Sequence, residues 1–565
     1  MKDEGRRMKD EDATMKRRHT PSSSFILHFS SFAFLLLLAA CNGPHASASL
    51  PRGNLSAPLE QVHFDRPCDP TFECSTDFNA QNPIDTYMLA AWRRRGIEPA
   101  NLCSDTVFIR RVYLDVIGTL PEPDDVQAFV ADAAADKRAR LIDALLQREE
   151  FADYWALKWC DLLRVKAEFP INLWPNAVQA YHRWVHDAVR DGMPYDQFVR
   201  QLLTSSGSNF RVPPVNFYRA VQGRDAGAIA AAVGLTFMGV RVDKWPEAQR
   251  AGMAVFFKRV AYKKSDEWKE EIVYCDFNSV EALQAVFPDG VPVSIPPEKD
   301  PRAVFADWLI TPDNPWFTRN IANRAWSWLL GRGIIHEPDD IRPDNPPANP
   351  ELLAYLQSEL VAAHYDLRHL FRLILNSRTY QQSSIARTSD PQALAQFAFY
   401  PVRRLDAEVL IDALCWIGGA GEEYQSIIPE PYTNIPPSRR TISLADGSIT
   451  SPFLEMFGRP VRDTGLESER NNDPTDAQRL HLLNSTDAQR KIENSPTLRK
   501  LLQAAKGNRT EVIRSTYLLL LSRYPTAPET TAAETYFKNG GVGPKQGADD
   551  LAWALINSKE FLYRH

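Results

Sequence analysis

The residues best able to do chemistry fall in one stretch. His336, Glu337, Asp339, Asp340 and Asp344 lie within the proline-laden segment Ile334–Ala348, a short way past Trp326 and Trp328. Carboxylates among aromatic rings suit a carbohydrate or Ca²⁺ ligand, the oxygens taking hydroxyl protons or the cation and the rings taking an apolar face. The same carboxylates suit helix capping and pairing with Arg332 or Arg342, and that structural reading is preferred. A second pattern is His182 and His186, four apart in YHRWVHDAVR, which puts both rings on one helix face as metal-binding pairs are. No Glu or third His follows at useful spacing, so a surface or core-edge role is preferred. The chain holds no G-x-S-x-G, no H-E-x-x-H, no P-loop and no G-x-G-x-x-G between a strand and a helix. No catalytic residue and no enzyme class is therefore indicated.

The elements that must position the acidic loop are legible. Asn314 can cap a helix beginning at Pro315, with Phe317, Ile321, Ala325, Trp328 and Leu329 on one face and Gly331 and Gly333 stopping it. The Asn-Pro device returns at Asn349–Pro350, opening a helix that turns Leu352, Leu353, Leu356 and Leu360 inward. Asp366 can cap a third, carrying Leu367, Leu370, Phe371 and Ile374. A loop as long as Ile334–Ala348 in a compact domain is either functional or firmly pinned, and Arg324 and Trp326 are expected to pin it.

This stretch resembles the C-terminal half of a large planctomycete surface-protein family labelled cytochrome-C-like, whose halves are known only as domains of unknown function. The matching residues are Asn314-Pro-Trp-Phe, Asn323-Arg324 with Trp326, Gly331-Arg332-Gly333, Asp339-Asp340, Asn345-Pro346-Pro347, Pro350-Glu351-Leu352-Leu353, Tyr365-Asp366-Leu367 and Asn376–Tyr380. Upstream, Ile84-Asp85, Arg110-Arg111 with Leu114-Asp115, Trp159 with Asp161, Arg164 and Pro194–Phe198 resemble the family's N-terminal domain. The resemblance implies a helical two-domain architecture and assigns no activity.

It also implies an absence. In the family, a Cys-x-x-Cys-His element follows a Phe-Leu-Gly-like helix end, and a second cysteine cluster precedes a Glu-Arg pair. Here Phe237-Met238-Gly239 runs directly to Asp243-Lys244-Trp245, and Thr464–Glu469 leads into Arg470 without cysteine. Covalent haem needs C-x-x-C-H, and this chain contains none. The expectation is a redox-silent member with no haem, no metal site and no other cofactor, in which two elements serving one role were lost together.

The remaining composition is that of a large exported globular chain. Its 565 residues are 44% hydrophobic and 24% charged, more than one ordinary domain requires. Seven of the 65 Lys/Arg and five of the 71 Asp/Glu lie in residues 1–40, so the rest carries about −8, and no basic stripe suggests nucleic acid. Lys16, Arg17 and Arg18 before the apolar run Phe32–Ala40 form a signal peptide, and Leu38-Ala39-Ala40-Cys41 resembles a lipobox, with Cys41 the acylated residue. That apolar run is about half the roughly 20 residues a membrane span needs. Export lets Cys68 and Cys74 pair in their Pro-rich segment, while Cys160 and Cys415 sit among apolar helical residues.

In order, residues 1–40 read as signal peptide, 41–82 as flexible tether, 83–262 as an N-terminal helical domain, 263–300 as a β-containing connector and 301–565 as a C-terminal helical domain. The class is mainly α, a multi-helical two-domain array with a small β element between the halves. Helices are expected over Ile84–Arg95, Ser104–Ile117, Glu122–Ala133 and Asp136–Arg148, and strands over Glu271–Phe277 and Val291–Ile295 around Pro288-Asp289-Gly290. Arg110 and Arg111 with Asp115 read as an ion pair along one helix face. Three helix ends share a pattern, Ala144–Phe151, Leu373–Tyr380 and Ala554–Phe561, each closing on an aromatic at constant offset.

The function expected is that of a lipid-anchored cell-envelope protein, periplasmic or on the outer-membrane face. It would be a non-catalytic binding or assembly component whose partners are the membrane and an envelope protein or polysaccharide. The alternative is a carboxylate-dependent enzyme on extracellular polysaccharide working from the loop. A closed, arginine-paired loop would favour the first and an open aromatic cleft the second.

Overall fold

The computed structural model describes residues 67–565 apart from 75–77, 425, 430–432, 434, 437, 540 and 541. Cys41, the signal peptide and most of the expected tether lie outside the described residues.

The fold is mainly α, as the apolar spacing requires. Helices run over Pro83–Arg95, Asp105–Val116, Pro123–Ala131 and Lys137–Leu145, each within a few residues of its expected range. Asn82 and Ser104 supply the first two with side-chain caps, accepting from the amides of Asp85 and Val107. Helices Glu149–Leu162 and Pro175–Arg190 then pack as an antiparallel pair. The apolar core runs without a break from Ile84 to Phe561, so the two halves share one interior.

Both expected strands form, as Glu271–Cys275 and Pro292–Ile295. Glu271–Phe277 and Val291–Ile295 do not pair with each other. We number the strands β1 (Glu73–Cys74), β2 (Leu102–Cys103), β3 (Gly207–Ser208), β4 (Val260–Lys264), β5 (Glu271–Cys275), β6 (Leu283–Val286), β7 (Pro292–Ile295), β8 (Arg403–Arg404) and β9 (Tyr563–Arg564). Strand β5 lies between β3 and β4, and Pro288-Asp289-Gly290 instead turns β6 into β7. The sequence reading missed β6, whose few residues sit between two turns. The tether also ends sooner than expected. β1 pairs antiparallel with β2, and Phe78 packs edge-on against Trp92 at 5.1 Å, so these residues are docked on the first helix layer.

The three helices around the acidic loop form as their caps dictate. Asn314 accepts from the amides of Trp316 and Phe317, and the helix itself begins two residues after Pro315, covering Phe317–Leu330. Gly331 ends it at φ 73°, a left-handed conformation that a side chain disfavours. Asn349 caps Pro350–Ala362 and Asp366 caps Leu367–Leu375. Residues 334–348 between them contain no helix or strand.

The three repeated helix ends each bury their ring. Phe151, Tyr380 and Phe561 are in the core, and each lies under a guanidinium, from Arg368 at 5.2 Å, Arg111 at 5.8 Å and Arg110 at 5.6 Å. In the second and third, Ser377 and Ser558 accept from the amides of Tyr380 and Phe561, which turns the chain inward.

Candidate functional site: the arginine-locked loop

The loop is organised from helix Phe317–Leu330, which buries Thr318, Asn320, Asn323 and Arg324, the last two holding the loop. Asn323 accepts from the Ile335 amide at 2.8 Å and donates to the Ile335 carbonyl at 2.9 Å, clamping the start of the loop. Arg324, one residue on and fully buried, binds Asp339 at 2.5 Å, Glu467 at 3.2 Å and the Leu235 carbonyl at 3.1 Å. Asp339 in turn accepts from the Glu467 amide at 2.7 Å, and Trp328 donates its indole N–H to Glu467 at 3.0 Å. The result is a closed circuit of one guanidinium, two carboxylates and one indole. Burial pulls the guanidinium down, but Asp339 and Glu467 outweigh it and hold Arg324 above its ordinary value. At Glu467 the balance runs the other way, and burial pushes its carboxyl up despite Arg324.

The six loop candidates separate. Asp339 points inward to Arg324. Asp340 and Asp344 point outward and both pair with Arg342, each at 3.1 Å. His336 is exposed beside Glu337 at 3.3 Å, and burial with the nearby Arg332 lowers its pKa. Trp326 is fully buried with its ring edge-on to Phe397 at 5.2 Å, so the tryptophan that meets the circuit is Trp328. Asn345 closes the loop by donating to the carbonyls of His336 and Asp340. The expected hold by Arg324 is present, while the grouping of these residues around one ligand is not. Among the described residues, no group of three His, Cys, Asp or Glu is placed to hold a metal ion.

The histidine pair has a different role from the one its spacing suggests. The rings lie 6.2 Å apart, but His186 faces Glu149, Asp153 and Asp187, and its bond to Asp153 raises its pKa. His182 is buried, and desolvation drives it down to about 3. Cys74 is a thiol that donates to the Cys103 carbonyl at 3.4 Å across the β1–β2 pair.

The circuit adjoins a larger buried lattice that sequence reading missed. Asp161 sits between Arg462 at 2.8 Å and Arg470 at 2.7 Å, and Glu408 between Arg470 at 2.7 Å and Arg459 at 3.4 Å. Asp406 takes Lys158, Arg564, Tyr154 and Asn472. Arg110 and Arg111 do not pair with Asp115, which corrects the helix-face reading. Arg110 donates to the carbonyls of Leu520 and Phe561, and Arg111 to those of Tyr380, Gln382 and His565. Asp115 instead accepts from Tyr380 and Tyr400 and pairs with Arg403. The partners lie far apart in the chain, 62 residues for Glu408 and Arg470 and 454 for Arg111 and His565, so no local spacing could have disclosed them. The available signal was only the number of charged residues inside otherwise apolar helices, such as Glu408 in AEVLIDALCWIG.

The two segments where the resemblance places missing cysteine elements both abut this circuit. The chain before Gly239 gives Arg324 the Leu235 carbonyl, and Thr464–Arg470 gives it Glu467. The first contains a π-helical turn, Gly234–Met238, where a Cβ on Gly234 would lie 2.3 Å from Val242. Neither segment contains Cys or His, so their side chains do not fit a c-type haem. Arrangements of this kind hold a scaffold together, because each carboxylate already has its cations and donors.

Residues 83–257 match PSCyt2, a protein family of unknown function (DUF1549), and residues 301–537 match PSD1, likewise of unknown function (DUF1553). No curated protein and no solved structure matches the chain. With both domains present in that order over most of its length, the chain belongs to the planctomycete cytochrome-C-like family of PSCyt2–PSD1 proteins.

Proposed function

We propose that the protein is a lipid-anchored component of the cell envelope, acting by binding or assembly rather than catalysis and carrying no haem. The observation that carries this reading is the Arg324 circuit. The loop with the densest chemistry-bearing residues spends its inner carboxylate on Arg324 and its outer ones on Arg342, leaving no carboxylate pair facing a cleft there. The lipobox ending at Cys41 supports attachment to a membrane, and the absence of C-x-x-C-H supports a redox-silent scaffold.

Expression in a bacterial host with labelled fatty acid tests the anchor. The wild type should take up label and sediment with membranes, and Cys41→Ser should lose both. Membrane attachment that survives the substitution after signal removal would contradict the anchor. Coexpression with a haem-maturation system should yield protein with no Soret band and no stoichiometric iron or zinc.

A further inference from the structure

We infer that a surface cleft lined by Tyr113 and Trp416, at the seam between the two halves of the chain, binds a neutral or amino-substituted saccharide. The cleft has a volume of about 180 Å³. One wall is the end of helix Asp105–Val116, the Gly118–Leu120 turn and the starts of helices Pro123–Ala131 and Glu149–Leu162. The other is the Asp412–Trp416 face of helix Ala407–Gly418.

Its polar groups are positioned in advance. Trp416 donates its indole N–H across the seam to Glu122 at 3.2 Å, in an exposed bond. Tyr113 donates to Asp125 at 2.9 Å, and Arg148 lies over the Tyr113 ring at 5.8 Å while pairing with Glu150. Asp412 forms the floor, its oxygens accepting from the amides of Thr441 at 2.7 Å and Ile442 at 3.1 Å. Burial raises the Asp412 carboxyl, whereas Arg148 lowers that of Glu150.

The partly exposed Trp416 ring between carboxylates and an arginine suits a ligand with an apolar C–H face and a rim of hydroxyls, which is the chemistry of a pyranose, while the buried Tyr113 ring, covered by Arg148, forms the wall behind it. Four carboxylates, Glu122, Asp125, Glu150 and Asp412, face two guanidinium groups, Arg148 and Arg440. Carboxylates therefore outnumber guanidinium groups two to one, and beyond the one donor each already accepts the exposed Glu122 and Asp125 favour a ligand that brings hydroxyl or ammonium donors. A uronate or sulfated sugar would meet like charge.

The inference deepens the binding role proposed above and rests on it. Isothermal titration of the purified full chain with cellohexaose, a chitosan hexamer and a galacturonate hexamer tests it. Saturable binding of the neutral or amino probe, with none of galacturonate, is expected. Trp416→Ala and Glu122→Gln should each weaken binding about tenfold or more. Binding of no probe, equal binding of galacturonate, or unchanged affinity in both variants would overturn the proposal. Should Trp416→Ala fail to fold, the near-isosteric Glu122→Gln decides. Membrane sedimentation of the same preparation keeps the two readings apart, since a failed titration with intact attachment removes the saccharide cleft alone.

Discussion

The loop at 334–348 and the cleft between Tyr113 and Trp416 use the same residue types, acids, arginines and aromatics, to opposite ends. In the loop, Asp339 and Arg324 are both almost wholly buried and complete each other's valence through Glu467 and Trp328. In the cleft, Trp416, Glu122 and Arg148 meet their partners at the solvent boundary, in exposed bonds. A residue type therefore says little about binding until its partners are known. Partnership in a dry interior yields rigidity, and partnership at a rim yields a preorganised surface.

The sharpest way to break this contrast is to remove the guanidinium. Arg324→Ala leaves Asp339 and Glu467 buried without their cation and should cost about 3–5 kcal/mol, read as a large fall in the melting temperature. A loss below about 1 kcal/mol would place the circuit with ordinary surface pairs.

Acid sharpens it next. Burial pushes Asp406 up, but Lys158, Arg564 and Arg470 prevail and hold it well below the usual carboxylate range. A group with a depressed folded pKa contributes stability that is present above its unfolded pKa of about 4 and lost as pH falls through the folded value. Asp406→Asn should therefore lower stability at neutral pH and flatten the acid limb of the melting curve below about pH 4. Asp412, whose folded carboxyl is raised, should show the opposite pH dependence.

His182 offers a separable effect, confined to acid. Its folded pKa of about 3 lies below the unfolded value, so the unfolded state binds the extra proton between about pH 6.5 and 3. Stability should fall there by at most about 1.4 kcal/mol per pH unit, and His182→Asn should remove that slope. The smallest effect belongs to the cleft. Glu122→Gln should change stability by about 1 kcal/mol or less while weakening saccharide binding about tenfold, a split measurable by melting and titration together.

The parts legible in the sequence were those encoded by neighbours. Asn314, Asn349 and Asp366 act on amides two or three residues away, so their helices could be read from capping residues and apolar spacing. The hold of Arg324 on the loop was also readable, since Asp339 follows it by fifteen positions within one loop connection. The rest depends on long-range pairing. Arg111 reaches Tyr380 and His565, and Glu408 reaches Arg470, contacts that only the assembled core brings together. The cleft was hidden for the same reason, because Glu122 and Trp416 are separated by 294 positions and neither stands in a motif. The pairing of β5 with β4 was not legible because short alternating segments specify a face but not a partner.

Hydrogen exchange across residues 334–348 tests the central claim most directly. The amide of Ile335 donates to Asn323, that of Ile341 to the Gly239 carbonyl and that of Ala348 to the Ile334 carbonyl. A loop locked from within should show these three amides exchanging slowly in the wild type and markedly faster in Arg324→Ala. Wild-type exchange at the rate of an unprotected chain, or rates untouched by the substitution, would contradict it.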